Sequence, residues 1–401
     1  MIGVWTAHRT LTRVSITIGE VGEFGLIARL VADLPRTSDL VLGPGDDAAV
    51  LRAPDARVVA TTDLLVDGRH FRRDWSSPRD VGHKAAAQNL ADVAAMGARP
   101  TGLLLGLAAP PDLPVAWAEE MMAGLAAEAA AAGAVVAGGD VVASPVLTLA
   151  VTALGDLGGR QPLTRSGARP GDVVAVAGDL GRSAAGLALL AAATPDPHRP
   201  DHPGSPGHPD HPGSPGSPGH PDHPGSPGPG PGPGGADSPA DPVGPGSVGG
   251  RGDAGGRDGP GDAGGLGEAY EGLVAAHRRP RPPYAEGPRA AELGATALID
   301  VSDGLLQDLG HIATASGVGV DLFPEVAEPS PELAAAAEAL GADPVAWLLG
   351  GGEDHALLGT FPTPPLAPWR VIGRVREGTG VSVPGVSGQG APPTGWDHFR
   401  D

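Results

Sequence analysis

The chain has 401 residues, a formal net charge of -20 at pH 7 and no cysteine. This length accommodates two domains with a substantial core, while the strongly acidic balance argues against nucleic acid as a partner. The lack of cysteine excludes disulfides, thiolate metal sites and a cysteine nucleophile. No apolar run approaches the roughly 20 residues that a membrane-spanning helix needs, and no signal-peptide pattern opens the sequence. We therefore expect a cytoplasmic protein that does not contact a membrane.

Short apolar strands alternate with helices in the first half of the chain. Ser77 and Pro78 are typical of a helix N-cap and first turn, and Gly97 is typical of a helix end, so a helix is predicted between them. Further helices are predicted over 114–132 and 181–192. The predicted strands are 57–66, 134–137, 146–153 and 172–177, with a turn at 138–140.

Residues 196–265 differ in composition from the rest of the chain, because 40 of these 70 residues are Gly or Pro. Such a segment cannot bury enough apolar surface to offset the ordering of its backbone, at about 1 to 2 kcal/mol per residue, so a disordered insert is predicted. Its six histidines offer an alternative interpretation as a metal-binding tract, which Pro and Gly would not hold in a fixed geometry.

Helices and strands remain mixed after the insert. Strands are predicted over 295–301, 357–361 and 370–375, and a helix over 331–340. Neither half shows the regular βαβ repeat of a doubly wound sheet, so the predicted fold class is α+β with two mixed α/β domains. The expected parts are an extension over 1–20, an N-terminal domain over 21–170 and a C-terminal domain over 171–401 that the insert interrupts.

Carboxylates beside Gly or hydroxyl residues recur where the predicted strands end. They occur in Gly45-Asp46-Asp47, Thr61-Thr62-Asp63, Gly139-Asp140 and Asp300-Val301-Ser302-Asp303. One such turn is ordinary, since Asp and Gly are common turn residues. The strand ends of a packed domain tend to converge on one face, however, and carboxylates gathered there repel one another. Four such turns therefore predict a divalent cation between them.

Asp92 adds a carboxylate from the first predicted helix. Gln88 and Asn89 give that helix an uncharged polar face, which favours a ligand or metal over solvent as its neighbour. Hard oxygen ligands without His or Cys suit magnesium, which commonly shares its ligands with substrate phosphates, so the pattern indicates phosphoryl transfer. The GxxxxGK[ST] nucleotide loop is absent, because His83 stands where the motif needs glycine before Lys84, the only lysine. An ATP site would have to use metals, backbone amides and arginine.

Eight motifs follow one another along residues 22–399, apart from the insert: PGDDAAVL, TTDLLVDGRHF, KAAAQNLADVAAMGARP, AGGD, LTRSGARPGD, IDVSDGL, GGGEDHALL and GWDHF. In content and order they resemble the thiamine-monophosphate kinases, which belong to the aminoimidazole ribonucleotide synthetase superfamily. The resemblance implies ATP-dependent phosphorylation of thiamine monophosphate to thiamine diphosphate. It also implies the fold of the aminoimidazole ribonucleotide synthetase superfamily, with Mg²⁺ as cofactor and ATP as co-substrate. The expected assembly is a homodimer with active sites near the subunit interface.

The resemblance implies roles for individual residues. Magnesium ligands are expected at Asp46, Asp47, Thr61, Thr62, Asp63, Asp92, Asp140, Asp300 and Asp303. ATP contacts are expected at Gly139, Asp140, Arg165 and Ser302, and thiamine-phosphate contacts at His70, Glu353 and Trp396. Asp63, Asp303 and Arg165 are expected to take part in catalysis. Asp67 and Trp396 replace the Glu and Tyr that the family often has, and each keeps the chemical type.

Two alternatives remain open. An amidine-forming ring synthetase of the same superfamily would need an amide-containing ribonucleotide and would form no product with thiamine monophosphate. A non-catalytic, magnesium-dependent nucleotide-binding protein would bind ATP without consuming it. The hydrogenase-maturation and selenium-phosphate branches use a cysteine or selenocysteine, which this chain lacks.

Overall fold

The computed structural model of the protein describes residues 16–44, 48–193 and 270–384. The predicted insert lies outside these residues, as does most of the predicted extension over 1–20. Before the insert the elements are α1 (Ile18–Val31), β1 (Leu40–Leu42), β2 (Val50–Leu51), β3 (Val59–Val66), α2 (Pro78–Ala95), β4 (Arg99–Ala109), α3 (Val115–Ala131), β5 (Val135–Ala143), β6 (Thr148–Asp156), β7 (Val173–Ala177) and α4 (Arg182–Ala193).

After the insert the chain continues with the same mixture of helices and strands. The elements are α5 (Glu271–Arg278), α6 (Glu286–Glu292), β8 (Ala297–Val301), α7 (Leu305–Ser316), β9 (Gly319–Leu322), a 3₁₀ turn (Pro324–Ala327), α8 (Pro331–Leu340), α9 (Pro344–Gly350), β10 (Ala356–Phe361), β11 (Arg370–Arg376) and β12 (Gly380–Ser382). The predicted α+β class is confirmed.

The first large sheet has four strands in the order β3-β6-β4-β5. β4 and β5 are parallel, and the other neighbours are antiparallel. Helices α2 and α3 cover one face, on which Leu103, Leu105 and Val151 are buried. On the opposite face Leu64 is 53% exposed and Val142 is 55% exposed. One face of this sheet is therefore open.

Helix α2 begins and ends where the sequence predicts. Ser77 is its N-cap: its hydroxyl accepts a hydrogen bond from the backbone N–H of Asp80, whose carboxylate accepts one from the backbone N–H of Ser77. Gly97 follows the helix with φ of 71°, a left-handed conformation that favours glycine. Helix α3 packs closely against α2, since a Cβ on Gly124 of α3 would lie 2.1 Å from the carbonyl oxygen of Arg79 in α2. The cap residues set the limits of α2, and the close packing holds it against α3.

The second large sheet has six strands in the order β12-β9-β11-β7-β10-β8. Only β12 and β9 are parallel within it. Strands β7, β8 and β10 are buried along their whole lengths. Helix α2 contacts β8, β10 and α6, so the first half of the chain packs directly on this sheet.

Two of the predicted carboxylate turns lie within strands in the structure. The predicted turn at 138–140 is part of β5, because Gly139 and Asp140 continue the ladder opposite Leu105 and Gly106 of β4. Asp63 lies within β3 and pairs with Val151, with three further residues of the strand after it. These carboxylates therefore project from the middle of strands.

Contacts place both large sheets in one compact unit. The predicted domain boundary at 170/171 falls between β6 and β7, and the division into two domains stays a prediction. Among the described helices, none is long and apolar enough to cross a membrane by itself. Helices α8 and α9 are long and apolar enough only when they are taken together, and the chain bends by 118° between them.

Candidate active site

Three predicted carboxylates lie together between α2, β3 and β8, and we call them the acidic cluster: Asp63, Asp92 and Asp300. They come from β3, α2 and β8, respectively. The Thr61 hydroxyl donates a hydrogen bond of 2.8 Å to Asp92 Oδ2. His355 Nδ1 lies 3.1 Å from Asp300 Oδ2. The structure thus brings four predicted magnesium ligands from both halves of the chain into one place.

The polar face of α2 points at β3. Asn89 is fully buried; its Oδ1 accepts a 3.0 Å hydrogen bond from the Asp63 backbone N–H, and its Nδ2 donates to the Ala85 carbonyl at 2.9 Å. Gln88 is hydrogen-bonded to the Asp63 side chain. The amide of Asn89 therefore anchors a carboxylate-bearing strand. The expectation that this face of α2 meets a ligand or metal stays a prediction.

Burial and mutual repulsion oppose ionisation of the carboxyl groups in the acidic cluster. Burial raises the pKa of Asp92 to about 7, and the charges of Asp300 and Asp63 add to the effect. Burial also raises the pKa of Asp63, with Asp300 adding to the rise and His355 opposing it. Burial opposes protonation of His355, but Asp300 outweighs it and raises the pKa of the imidazole. The oxygens of the acidic cluster are the hard donors that a divalent cation prefers, although the ligand atoms of the three carboxylates are not all within 4.8 Å of one another.

Glu353 and His355 lie in the loop before β10, and both have a strained backbone conformation. Glu353 has φ of 63° and His355 has φ of 52°, and such left-handed residues other than glycine cost about 1–3 kcal/mol each. Their backbone N–H groups donate to the carbonyls of Ser302 at 2.8 Å and Val301 at 2.9 Å. The carboxylate of Asp354 between them turns away and accepts from backbone N–H groups at the start of α4. Sequence reasoning missed His355, whose only signal was its place beside Glu353.

Lys84 connects two of the predicted thiamine-phosphate contacts. Its side chain is 3% exposed, and its Nζ donates to the His70 carbonyl at 3.2 Å and to Glu353 Oε2 at 3.1 Å. Burial opposes ionisation of Glu353, but the Lys84 ammonium outweighs it and holds the pKa of Glu353 at about 2. Burial lowers the pKa of His277 to about 3, so this neighbour is neutral near pH 7. Sequence reasoning assigned no role to Lys84, although the only lysine of the chain, in a helix rich in alanine, is a signal that could have indicated one.

A second acidic group lies at the start of α7. The possible ligand atoms of Asp303, Asp308 and His311 are all within 4.8 Å of one another. Asp308 Oδ2 accepts from the backbone N–H groups of Asp303 and Gly304, both at 3.1 Å. Burial raises the pKa of Asp308 to about 7, and the charges of Asp300 and Asp303 add to the rise. Asp303 was predicted from the sequence, whereas Asp308 and His311 were missed despite their helical spacing of three residues.

Two predicted magnesium ligands lie on the open face of the first sheet, away from the acidic cluster. Asp140 of β5 is in the cross-strand row of Leu64, and Thr62 of β3 points to this side as well, because side chains alternate along a strand. β3 and β5 are the two edge strands, three spacings or about 14 Å apart. Gly139, a predicted ATP contact, lies beside Asp140. Within one chain, Asp140 therefore does not meet Asp63.

The remaining predicted residues have separate positions. Ser302 lies between β8 and α7, and its carbonyl receives the Glu353 N–H. Arg165 is exposed in the loop after β6, and its carbonyl accepts a hydrogen bond of 3.2 Å from the Ser316 hydroxyl, which fixes the loop to α7. The predicted residues Asp46, Asp47 and Trp396 lie outside the described residues.

Comparison with known proteins gives a consistent assignment. Residues 45–157 match the family model "AIR synthase related protein, N-terminal domain". A thiamine-monophosphate kinase of Mycobacterium tuberculosis is 40% identical over 398 residues, which cover 99% of this chain and 97% of the relative. The chain belongs to the thiamine-monophosphate kinase family. The Corynebacterium glutamicum member of the family is 36% identical, and the match covers 90% of this chain and 88% of that relative.

Solved structures agree with membership of the thiamine-monophosphate kinase family. The structure of AaThiL complexed with AMPPCP and TMP has a TM-score of 0.63 and 28% identity, covering 96% of this chain and 100% of that one. The predicted resemblance and the assignment as an enzyme of this kinase family are therefore confirmed. The alternative of a non-catalytic nucleotide-binding protein is not supported by these relatives.

Proposed function

We propose that this protein transfers the γ-phosphoryl group of ATP directly to the phosphate of thiamine monophosphate, and that Mg²⁺ is required. The observation that carries the proposal is the acidic cluster, which gathers the buried or half-buried carboxyl groups of Asp63, Asp92 and Asp300 from three elements. AMPPCP and TMP are the ligands of the related AaThiL complex. They match the nucleotide and acceptor proposed here.

The residues of the acidic cluster fit magnesium. Every donor is a hard oxygen, and Thr61 adds a hydroxyl at 2.8 Å from Asp92 Oδ2. Asp303, in the second acidic group, is a further candidate ligand. When bound, Mg²⁺ would neutralise charge on the phosphates; one pair of unit charges 4 Å apart costs about 4 kcal/mol at an effective dielectric of 20.

The protein's own groups bind and orient the two substrates. Ser302 and Arg165 would contact ATP, the arginine by stabilising charge on the transferred group. His70 and Glu353 would hold thiamine monophosphate, with its phosphate oxygen in line with the γ-phosphate. That oxygen is already anionic near neutral pH, so the transfer needs no general base. His70 then acts as a hydrogen-bonding contact.

We also propose that the enzyme is a homodimer that uses the open face of the first sheet. The exposed Leu64 and Val142 on that face support this, because a second copy would cover them. So does the separation of Asp140 from Asp63, since a second copy could supply its own Asp140 to the site. Sedimentation of a monomer at micromolar concentration would contradict the proposal.

Incubation of the purified protein with ATP, MgCl₂ and thiamine monophosphate tests the function. Thiamine diphosphate and ADP are expected in equal amounts, identified by mass spectrometry, and no product is expected when a chelator removes the metal. The matched control is Asp63→Asn, which keeps the side-chain shape and removes a charge. ATP binding without consumption, or the absence of thiamine diphosphate, would contradict the proposed function.

A further inference from the structure

Lys84 lies where described residues from both halves of the chain approach the proposed acceptor site. It projects from α2, and its two partners are His70, in the loop after β3, and Glu353, in the loop before β10. Lys84 and Glu353 are 269 positions apart in sequence. The ammonium therefore connects loops that no strand pairing joins directly.

The chemistry of this contact suits lysine. A tetrahedral ammonium donates in three directions, so it reaches a backbone carbonyl and a carboxylate that face it from different elements. The planar guanidinium of arginine is larger and presents its donors as a fork. The chain carries its other positive side chains as arginine, so lysine at this buried position is an exception to its own composition.

The Lys84 ammonium stabilises the charge of the Glu353 carboxylate more than any other described group, and the imidazole of His355 adds to this effect. Of its described neighbours, His277 is buried and neutral near pH 7, with Nδ1 3.3 Å from Glu353 Oε2 and 3.2 Å from the Ser183 hydroxyl. Without the Lys84 ammonium, we expect the Glu353 carboxylate to turn further toward solvent.

We propose that Lys84 is a positioning residue for the phosphate acceptor, holding the His70 loop and the Glu353 carboxylate together so that both meet thiamine monophosphate. The proposal rests on the proposed function. In this proposal Lys84 contacts neither ATP nor the transferred phosphoryl group, because its ammonium is directed at His70 and Glu353. Its effect should therefore fall on acceptor binding.

The test compares Lys84→Met, Lys84→Arg and the surface control Arg376→Met, whose native arginine in β11 pairs with the exposed Asp321 of β9. For Lys84→Met we expect the KM for thiamine monophosphate to rise at least tenfold, while the KM for ATP stays within about twofold. Lys84→Arg should recover part of the loss because it retains the charge. Arg376→Met should change neither constant.

A double-mutant cycle with Glu353→Gln separates positioning from simple packing. If Lys84 acts through Glu353, the double variant should bind thiamine monophosphate no more weakly than the worse single variant. Calorimetric titration with thiamine monophosphate gives a binding readout that does not need turnover. A Lys84→Met protein that is folded and retains wild-type acceptor affinity would overturn the proposal, as would equal losses for both substrates.

The outcomes also distinguish this inference from the proposed function. Wild-type protein that forms no thiamine diphosphate and does not bind thiamine monophosphate refutes the function, and the inference with it. Wild-type activity with no acceptor-specific effect at Lys84 refutes the inference alone. If Lys84→Met does not fold, Lys84→Arg and Glu353→Gln carry the same comparison.

Discussion

Replacing Asp92 by asparagine should stabilise the metal-free protein at alkaline pH. The pKa of this buried carboxyl rises from its ordinary value of 3.8 to about 7, because of burial and the charges of Asp300 and Asp63. A raised carboxyl pKa means that the contribution to stability is complete below pH 3.8 and is lost as the pH rises through 7. Asparagine is neutral throughout and can still accept the hydrogen bond from Thr61.

The pKa sets an upper limit to the effect. At 1.36 kcal/mol per pKa unit, the wild-type protein loses about 4 kcal/mol from this group by pH 8 and about 1.5 kcal/mol by pH 5. Local relaxation reduces both figures. We therefore expect Asp92→Asn to raise the free energy of unfolding by about 1–4 kcal/mol at pH 8 without metal, and by less than half of that at pH 5.

Urea denaturation in chelator-treated buffer at pH 8 and pH 5 measures this difference. Asp112→Asn is the matched control, because Asp112 is exposed and belongs to no proposed site, and its effect should stay within about 0.5 kcal/mol at both pH values. Added Mg²⁺ should stabilise the wild-type protein more than Asp92→Asn, because binding to the folded state adds to stability. An Asp92→Asn protein that is no more stable than wild type at pH 8 would refute the electrostatic account of the cluster.

Three further predictions concern other parts of the molecule. Asp303→Asn is expected to keep the circular dichroism spectrum and abolish phosphorylation, because it removes a candidate metal ligand; normal turnover at ordinary magnesium would contradict this. Deletion of 196–265 with a short linker should preserve activity, and loss of activity or of dimerisation would show that the insert is more than a spacer. Gly124→Ala should cost about 1–3 kcal/mol in urea denaturation, since its Cβ would lie 2.1 Å from a carbonyl oxygen of α2, whereas Gly310→Ala, with open space around it, should stabilise by up to about 1 kcal/mol.

Local signals explain what the sequence predicts well. The limits of α2 follow from Ser77, Pro78 and Gly97, whose effects act within one helical turn. The meeting of Asp63 and Asp92 was also predicted, although the reason given was wrong: Asp63 is inside a strand and not at its end.

Long-range contacts explain what the sequence does not predict. His355 and Lys84 take part in the site through partners 55 and 269 positions away, and no local pattern specifies such pairs. The separation of Thr62 and Asp140 from the acidic cluster was partly predictable. Alternation along β3 already places Thr62 on the face opposite Asp63.

Anomalous diffraction from crystals grown with Mn²⁺, a non-hydrolysable ATP analogue and thiamine monophosphate tests the central claim most directly. We expect anomalous peaks in contact with oxygens of Asp63, Asp92 and Asp300 and with phosphate oxygens of the ligands. Ligands bound with no peak at these carboxylates, or carboxylates paired instead with arginine, would contradict the account.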